Sequence, residues 1–533
     1  MMWPPMHSRF QNKGLAILAL IVALAWYYDY PKTLLKRPQS IHSWRQCDGA
    51  SLALNYYQEG MRFFKPRTHG LYSDHYTTGY TAPSEIPILY YFVALLYRLF
   101  GYHEYLFRAT NLLIFFLGLL YLHRFANAVL KDSFFAGAVV VLLFSSPLLV
   151  YYANNFMPNT VGLSFTIIGW YYFYRYSVNH TTRTYLTAMV FFLLAASMKI
   201  TELSSPIIIL MLLLMDRFRI VNLNLGSGKQ LFLKMISLWA IFLVIAGWVF
   251  YAKWYNTFHG TSQFSTYTFP VWNINAEARA LVLHKMKVIW MTEYYLPFTL
   301  YSLPVFALLT IFFYRRTDKV LGVASFFLFT GLIAYAILWF EALGDHDYFL
   351  IGFYILPVFV VINFFLILRS FDVKKLHLRL LQMIIIIFLA FNVYHARQRQ
   401  DVRYYSWMND YPEMQDLYGI NPYLERLGIS RQDTIVFYPS PNIRPLYLMN
   451  LKGWTISDYS EITPEIMAKD STMMEDCIRK GAKYLFVNNT ASLMKRKTML
   501  PYTLDLYGKF GDLLIFRIPP LKSNYRITDS TDE

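Results

Sequence analysis

The sequence predicts a mainly α-helical protein that crosses a membrane many times and ends in a small soluble α/β domain. Of its 533 residues, 56% are hydrophobic and only 15% are charged, whereas about one-quarter of a soluble chain is charged. Apolar runs recur between Gly14 and Tyr394, and runs of roughly 17–25 residues suit a helix that crosses a bilayer. Polar and charged residues return after Tyr394, so a membrane domain is predicted over residues 1–395 and a soluble domain over residues 396–533.

The apolar runs predict about eleven membrane-spanning helices. An odd number of spans places the two ends of the chain on opposite sides of the membrane. The predicted spans are residues 14–28, 105–125, 134–151, 160–174, 185–197, 203–215, 231–251, 296–314, 320–340, 348–368 and 380–394.

The distribution of Lys and Arg predicts the orientation, since short cytoplasmic loops carry an excess of basic residues. One set of short loops is rich in Lys and Arg. The alternate short loops contain a single basic residue, Lys199, and are residues 152–159, 198–202 and 341–347. The N-terminus is therefore predicted to be cytoplasmic. Residues 29–104, residues 252–295 and the soluble domain are predicted to lie on the periplasmic face of an inner (plasma) membrane.

The net charge of +16 does not indicate a nucleic-acid partner, because the basic residues lie in short loops and form no contiguous tract. Cys47 and Cys477 are far apart in the sequence, so neither a disulfide framework nor a thiolate metal site is predicted. No small-residue cleavage site follows Tyr27, and the first apolar run is predicted to be an uncleaved span.

The first long extracytoplasmic segment contains two predicted helices that do not cross the membrane. Residues 86–97 form an apolar stretch of twelve residues, which is too short to cross and is predicted to lie in the interface or to re-enter. Residues 49–64 have a helical spacing of apolar side chains. An acidic residue precedes each helix: Asp48 the first and Glu85 the second.

The soluble domain has the signals of a small α/β fold. Asn421 and Thr463, each followed by Pro, begin helices that end at Gly428 and Gly481, which is the usual order of cap residue, Pro and Gly. The domain has no Gly-rich phosphate loop, and its predicted role is to support the membrane domain or to recognise an acceptor. Buried strands are predicted at residues 434–438, 484–487 and 513–518.

Asp48 and Glu85 are the candidate catalytic residues, because an isolated ionisable group beside a membrane is costly unless solvent or a partner meets it. A carboxylate near a helix N-terminus is stabilised in its ionised form and can accept a proton from an attacking hydroxyl or amine. The alternative is structural: each acid caps its helix, and Asp48 pairs with Arg45. Two acids in one loop favour a shared cleft.

Basic residues on the same face are the candidates for binding a phosphate group. They are Arg45, Arg108 and Lys199, with Lys65 as a further candidate. Lys199 has the alternatives of a salt bridge to Glu202 or of reaching the membrane interface. Arg108 has the alternative of anchoring the start of its span.

His346, Asp347 and Tyr348 open a late span on the outward face. Asp and His close together can bind a metal ion or relay a proton, so a divalent metal is the one candidate cofactor. The alternative is a polar helix start that satisfies the helix's own end groups. Trp44 is the aromatic residue placed to stack on a sugar.

Several of these residues fall in motifs over residues 10–395. The motifs are Trp44-Arg45-Gln46-x-Asp48, Glu85-Ile86-Pro87-Ile88-Leu89-Tyr90 running to Leu99-Phe100-Gly101, Arg108, Met198-Lys199-Ile200-Thr201, and His346-Asp347-Tyr348 with Leu356-Pro357. This arrangement resembles the C-type glycosyltransferase (GT-C) superfamily, specifically glycosyltransferase family 39-like proteins. These include protein O-mannosyltransferases and the lipid A aminoarabinose transferase.

The resemblance implies an inverting hexosyl- or pentosyltransferase that uses a polyprenyl-phosphate-linked sugar on the outer face of the membrane. The acceptor is a lipid, a glycan or a protein. Asp48 matches the family's first-loop acid, the catalytic base or acceptor-orienting group, and Glu85 matches the second acid of that loop. Members that act on aminoarabinose have Lys directly after the second acid, where this chain has Ile86, so that donor is disfavoured. The substrate-binding residues are then Trp44, Arg45, Gln46, Arg108, Lys199, His346, Asp347 and Tyr348.

Two other functions suit a membrane protein of this kind. One is a transporter or flippase of lipid-linked glycans, and the other is a non-catalytic scaffold that keeps the same fold. A transporter is expected to carry charged residues at the bilayer midplane or broken helices in paired halves. The predicted spans are nearly free of acids and show no inverted repeat, which favours the enzyme.

Overall fold

The computed structural model describes residues 7–225, 231–264, 268–371, 375–407, 412–458 and 464–519. The chain divides into two compact units. The helical unit comprises Met1–Ile41, Pro83–Lys253 and Ser265–Trp407, and the mixed unit comprises His42–Ala82, Trp254–Phe264 and Met408–Glu533. The domain boundary predicted at residue 395 remains a prediction.

Helices dominate the described residues, as the sequence predicts. In chain order they are α1 His7–Tyr27, α2 Tyr30–Thr33, α3 Ser43–Gln58, α4 Ile88–Phe100, α5 Tyr105–Leu130, α6 Ser133–Leu143, α7 Pro147–Ala153, α8 Asn159–Asn179, α9 Thr182–Met198, α10 Ser204–Arg217, α11 Leu231–Phe258, α12 Ala276–Lys285, α13 Met291–Tyr294, α14 Pro297–Phe312, α15 Lys319–Leu338, α16 Ile355–Ser370, α17 Lys375–Asp401, α18 Asn421–Arg426, α19 Arg444–Met449, α20 Pro464–Arg479 and α21 Thr490–Lys495.

The predicted spans all fall on helical segments, one of which is broken, and the number that cross a membrane remains a prediction. Two bent pairs, α6 with α7 and α12–α13 with α14, raise the number of helices that can cross from five to as many as seven. The five single helices of the described residues that are long and apolar enough are Tyr105–Leu130, Leu231–Phe258, Lys319–Leu338, Asp347–Ser370 and Leu376–Ser406.

One predicted span, residues 134–151, is not a continuous helix. A bend of 76° separates α6 from α7, and Pro147 occupies the first position of α7. Proline lacks the backbone N–H and clashes with the preceding turn, so a helix does not continue through it. Ser146 caps the new helix by accepting a hydrogen bond from the backbone of Leu149, as Ser does at a helix start.

The helical unit is packed by small residues at helix crossings, as is common between membrane helices. A Cβ atom at Gly118 of α5 would lie 2.7 Å from Cβ of Ser164 in α8. Nearby, the buried indole of Trp170 donates a hydrogen bond to Ser205 Oγ at 2.9 Å and contacts the ring of Phe359 at 4.8 Å between centroids. These contacts join α8 to α5, α10 and α16.

The mixed unit is built on a five-stranded sheet in the order β2-β1-β3-β5-β4. β1 pairs in parallel with β2 and β3, whereas β5 is antiparallel to β3 and β4. The predicted strands are confirmed as β1, β3 and β5, while β2 is too short and β4 too exposed to give a buried run in the sequence. The strands are β1 Thr434–Tyr438, β2 Lys452–Thr455, β3 Ala482–Val487, β4 Asp505–Phe510 and β5 Leu513–Arg517.

The middle part of the first long loop, His42–Ala82, belongs to the mixed unit, and part of its backbone continues the sheet. Leu71 N donates to Gly453 O at 2.8 Å, and Gly453 N donates to His69 O at 3.2 Å. Leu71 also joins the buried core around Trp454, whose indole donates to Leu71 O at 2.9 Å. These hydrogen bonds tie the segment that follows α3 to β2.

Candidate functional site

Asp48 lies inside a helix rather than before one, which corrects the predicted start at residue 49. Helix α3 begins at Ser43, with His42 as its cap residue in a left-handed conformation (φ 53°). The helix dipole acts mainly within the first turn, and Asp48 lies beyond that turn. The argument that the dipole stabilises its ionised form therefore does not hold. Its side chain is 6% exposed.

A hydrogen-bonded chain orients the Asp48 carboxylate within the mixed unit. Gln263 Nε2 donates to Asp48 Oδ1 at 3.1 Å, and Thr68 Oγ1 donates to Gln263 Oε1 at 3.0 Å. The hydroxyl therefore fixes the amide, and the amide fixes the carboxylate. Sequence reasoning did not identify Gln263, because it lies far from Asp48 along the chain and carries no motif.

The other motif residues of α3 differ in exposure. Trp44 and Arg45 are partly exposed. They precede Asp48 by four and three residues, so the three side chains share one face of the helix. The Arg45 guanidinium carbon lies 5.6 Å from the ring centroid of Phe264. Gln46 is fully buried. This arrangement places Trp44 and Arg45, but not Gln46, where a ligand can reach them.

Glu85 belongs to the helical unit and is held by its neighbours just before α4. Its side chain is 5% exposed and accepts hydrogen bonds from the hydroxyl groups of Ser84 and Tyr90. Ile86 N donates to Ser197 O at 3.0 Å, which ties this segment to the end of α9. Asp48 and Glu85 belong to different units, and the predicted shared cleft remains a prediction.

The structure favours the alternative interpretation of Arg108, an anchor at the start of its helix. Its buried guanidinium donates to the backbone oxygens of Lys36 at 2.9 Å, Arg37 at 3.3 Å and Asn154. It also donates to the Tyr404 hydroxyl at 3.1 Å. With its donors used in this way, Arg108 joins α5 to three other segments, and the phosphate-binding role predicted for it has no support here.

Three predicted residues meet around Phe349, which sequence reasoning did not identify. Lys199 Nζ lies 4.7 Å from the centroid of the Phe349 ring and 5.7 Å from that of Tyr348. The His346 ring stacks on Phe349 with centroids 4.9 Å apart, and its Nδ1 atom lies 3.0 Å from Ala342 O. A lysine ammonium group over an aromatic face is attracted to the ring and held in place.

Glu202, three residues after Lys199, is a buried acid with a hydroxyl partner. Its Oε2 accepts a hydrogen bond from Thr166 Oγ1 at 2.6 Å. Burial raises the pKa of this carboxyl to about 7, although the hydrogen bond and the charge of Lys199 act in the opposite direction. Burial disfavours the charged form of an acid, so Glu202 titrates near neutral pH.

Asp347 belongs to a buried ion-pair network that we call the Glu293 cluster, comprising Asp347, Glu293, Arg399 and Arg403. Arg403 Nε donates to Glu293 Oε2 at 2.6 Å, and Arg403 Nη2 donates to Asp347 Oδ2 at 2.8 Å. Arg399 also pairs with Glu293. Tyr152 donates its hydroxyl to Asp347 Oδ1 at 2.7 Å.

The residues that the structure describes do not fit the candidate metal site. No group of three or more His, Cys, Asp or Glu residues among them is arranged to hold a metal ion. Both oxygens of Asp347 accept hydrogen bonds from Tyr152 and Arg403. Asp347 therefore acts as a structural acid in this network, and its predicted contact with substrate stays a prediction.

Comparison with known proteins identifies the fold. No family model and no curated protein matches the chain. The crystal structure of ArnT from Cupriavidus metallidurans bound to undecaprenyl phosphate matches with a TM-score of 0.56 and 9% identity, over 94% of this chain and 97% of that chain. The oligosaccharyltransferase AglB from Archaeoglobus fulgidus, in complex with an inhibitory peptide and a dolichol-phosphate, matches with a TM-score of 0.53 and 13% identity, over 95% and 76%.

A third structure, the arabinofuranosyltransferase AftD from Mycobacteria, matches with a TM-score of 0.52 and 13% identity, over 91% of this chain and 37% of that one. All three are GT-C proteins, and the chain therefore has the GT-C fold that the resemblance predicts. At these identities the similarity concerns the fold.

Proposed function

We propose that this chain is an inverting glycosyltransferase of the inner membrane that uses a polyprenyl-phosphate-linked sugar on the extracytoplasmic face. The observation that carries the proposal is the oriented, nearly buried carboxylate of Asp48 in the Trp44–Asp48 motif of a chain with the GT-C fold. Two of the similar structures hold a polyprenyl phosphate, undecaprenyl phosphate in ArnT and a dolichol-phosphate in AglB. Fold alone does not define function, so the chemistry is argued from the residues.

In this proposal Asp48 is the general base. The acceptor's hydroxyl or amine attacks the anomeric carbon of the donor sugar, and its proton moves to the Asp48 carboxylate. The bond between the anomeric carbon and the phosphate oxygen breaks, and polyprenyl phosphate leaves with the electron pair. Because one displacement occurs without a covalent sugar–enzyme intermediate, the configuration at the anomeric carbon inverts.

The departing phosphate gains negative charge and needs a positive group close to it. Lys199 and Arg45 are the residues that we propose for this role, since Arg108 donates to backbone oxygens instead. A fixed donor aimed at developing charge contributes a few kcal/mol to transition-state stabilisation. The contact of Lys199 with Phe349 holds its ammonium group in place before the donor binds.

The remaining predicted residues have supporting roles in this proposal. Glu85 orients the acceptor, and the hydroxyls of Ser84 and Tyr90 hold the Glu85 carboxylate in position. Trp44 stacks on a sugar ring, while His346 and Tyr348 line the donor side near Lys199. Gln46, which is fully buried, holds α3 rather than the substrate. No step uses a metal ion.

The proposal is tested with the purified full-length chain in lipid nanodiscs and a panel of polyprenyl-phosphate-linked hexoses and pentoses. We expect one donor to be consumed, with release of polyprenyl phosphate and an inverted linkage in the product, observed by mass spectrometry and NMR. Lipid, glycan and peptide acceptors are compared in the same assay. Reconstitution into vesicles provides the contrasting outcome, because movement of an intact donor across the bilayer without cleavage would show a flippase.

A further inference from the structure

A pocket in the mixed unit is lined by far more positive than negative charge. It lies between the end of α3 and the loop that follows, and its space of about 250 Å³ includes open solvent. Its lining residues are Asn55, Tyr56, Glu59, Arg62, Lys65 and Arg67. Together with Arg431 and Lys452, which bind Glu59 directly, they form what we call the basic pocket.

One carboxylate faces three cations at close range in this pocket. Glu59 Oε2 accepts from Arg67 Nη1 at 2.8 Å, and Glu59 Oε1 accepts from Arg431 Nη2 at 2.9 Å. Lys452 Nζ also donates to Oε1. Both oxygens of Glu59 are therefore occupied, and two positive charges remain uncompensated within this group.

Two further cations line the pocket from an exposed turn. Lys65 N donates to Arg62 O at 2.8 Å, which holds both residues in one turn. Their side chains are exposed, so a ligand can reach them from solvent. The Nε atom of Arg431 is buried and has no hydrogen-bond partner among the described residues. These groups provide donors beyond those that Glu59 occupies.

Repulsion from neighbouring cations acts on Lys452 in addition to its burial. The pKa of Lys452 is lowered by burial and by the charges of Arg431 and Arg67, although Glu59 opposes this change. Burial likewise lowers the pKa of Arg431. A bound anion would relieve this repulsion.

We propose that the basic pocket is a binding site for a phosphate group, carried either on a membrane lipid headgroup or on a soluble molecule such as a phosphorylated glycan. Guanidinium groups match the geometry of phosphate oxygens with paired donors, and lysine adds a point charge. A phosphate with two negative charges would balance the two charges that Glu59 leaves uncompensated. The inference goes beyond the proposed function and does not depend on it.

The test uses the full-length chain in nanodiscs of phosphatidylcholine and measures binding of inorganic phosphate by calorimetry at constant ionic strength. We expect saturable binding to the wild type and a loss of at least about tenfold in affinity in the double variant R62Q/K65Q, since hydrogen bonds to charged groups are strong. The matched control is R426Q/K509Q, which removes the same two charges from exposed positions of the same unit. It should bind phosphate within about twofold of the wild type, as a screened surface charge has little effect.

Neither Arg62 nor Lys65 belongs to the direct Glu59 contacts, so the double variant is expected to fold, and its melting temperature checks this. E59Q gives a second readout of opposite sign, because removal of the competing carboxylate should tighten phosphate binding. Absence of saturable binding to the wild type, or equal loss in the two double variants, would overturn the proposal.

A second arm of the experiment identifies the source of the phosphate. If the pocket takes a lipid headgroup, phosphatidylglycerol in the nanodisc competes and weakens binding of inorganic phosphate to the wild type more than it weakens the residual binding to R62Q/K65Q. If the ligand is soluble, the affinity ratio of wild type to R62Q/K65Q is unchanged by lipid composition. Each result supports the site and assigns its ligand.

Discussion

The two clusters of charged side chains differ in balance and in exposure. In the Glu293 cluster two guanidinium groups meet two carboxylates, and Arg403, Glu293 and Asp347 are fully buried. In the basic pocket, Glu59 is the only acid among the lining and pairing residues, and two of the cations are exposed. A balanced, buried cluster is a structural tie between helices, whereas an unbalanced, accessible cluster is suited to an additional anion. The balance of charges therefore distinguishes a structural cluster from a cluster that binds an anion.

The largest effect on stability is expected at Arg403, which pairs with two buried acids. Replacement by Met removes one cation and leaves Asp347 and Glu293 in the interior with less compensation. Breaking a buried pair by removing one partner costs about 3–5 kcal/mol, so R403M should show a strongly lowered melting temperature. The variant R399M is the control. Because Arg399 is 24% exposed, its replacement should lower the free energy of unfolding by less than R403M does. Equal melting temperatures for R403M and wild type would contradict the structural role.

An intermediate effect is expected from Glu202, a buried acid whose hydrogen-bond partner is a hydroxyl rather than a guanidinium. Its pKa of about 7 in the folded state lies above the ordinary value of 4.5, so the folded state binds a proton more tightly than the unfolded state. The stability that Glu202 contributes is complete below pH 4.5 and is lost as pH rises through about 7. The change is on the order of 3 kcal/mol.

Melting temperatures measured from about pH 4.5 to about pH 8 test this effect. The wild type should lose stability across that window, and E202Q, which cannot titrate there, should lose less. A pH dependence that is identical in wild type and E202Q would show that Glu202 is already ionised in the folded protein.

The smallest effect on stability is expected for K452M in the basic pocket. Glu59 keeps its contacts with Arg67 and Arg431, and removal of Lys452 relieves repulsion among like charges. We expect a loss of less than about 1 kcal/mol, as for a partly exposed pair. A loss as large as that of R403M would mean that the two clusters do not differ in the way that we infer.

The sequence predicted the elements whose signals are local. The Pro and Gly around residues 421–428 give a helix that ends before Gly428, which has φ 72°, although Ile420 rather than the predicted Asn421 is its cap residue. Buried β-branched and aromatic runs give strands β1, β3 and β5. The sequence also contains the signal for the broken span at Pro147, because proline ends or bends helices.

The sequence grouped candidate site residues only where one segment carries them. Asp48 and its motif neighbours share α3, whereas the meeting of Lys199 with His346 and Tyr348 at Phe349 joins two segments far apart in the sequence. The partners that give these residues their setting come from distant segments: Gln263 for Asp48, and Arg403 for Asp347. A single sequence does not show which distant residues are in contact. The assignment of Arg108 and Asp347 to substrate binding therefore could not be checked before their contacts were known.

The central claim is that the Asp48 carboxylate accepts the acceptor's proton during sugar transfer. Single-turnover transfer from the preferred polyprenyl-phosphate-linked donor tests it in wild type, D48N and the control D505N, which makes the same change at an exposed strand position. Loss of a general base lowers the rate by about 10²–10⁴-fold, so D48N should be slower by that factor, with donor affinity and melting temperature retained. D505N should match the wild type, and a D48N enzyme that transfers sugar at the wild-type rate would contradict the account.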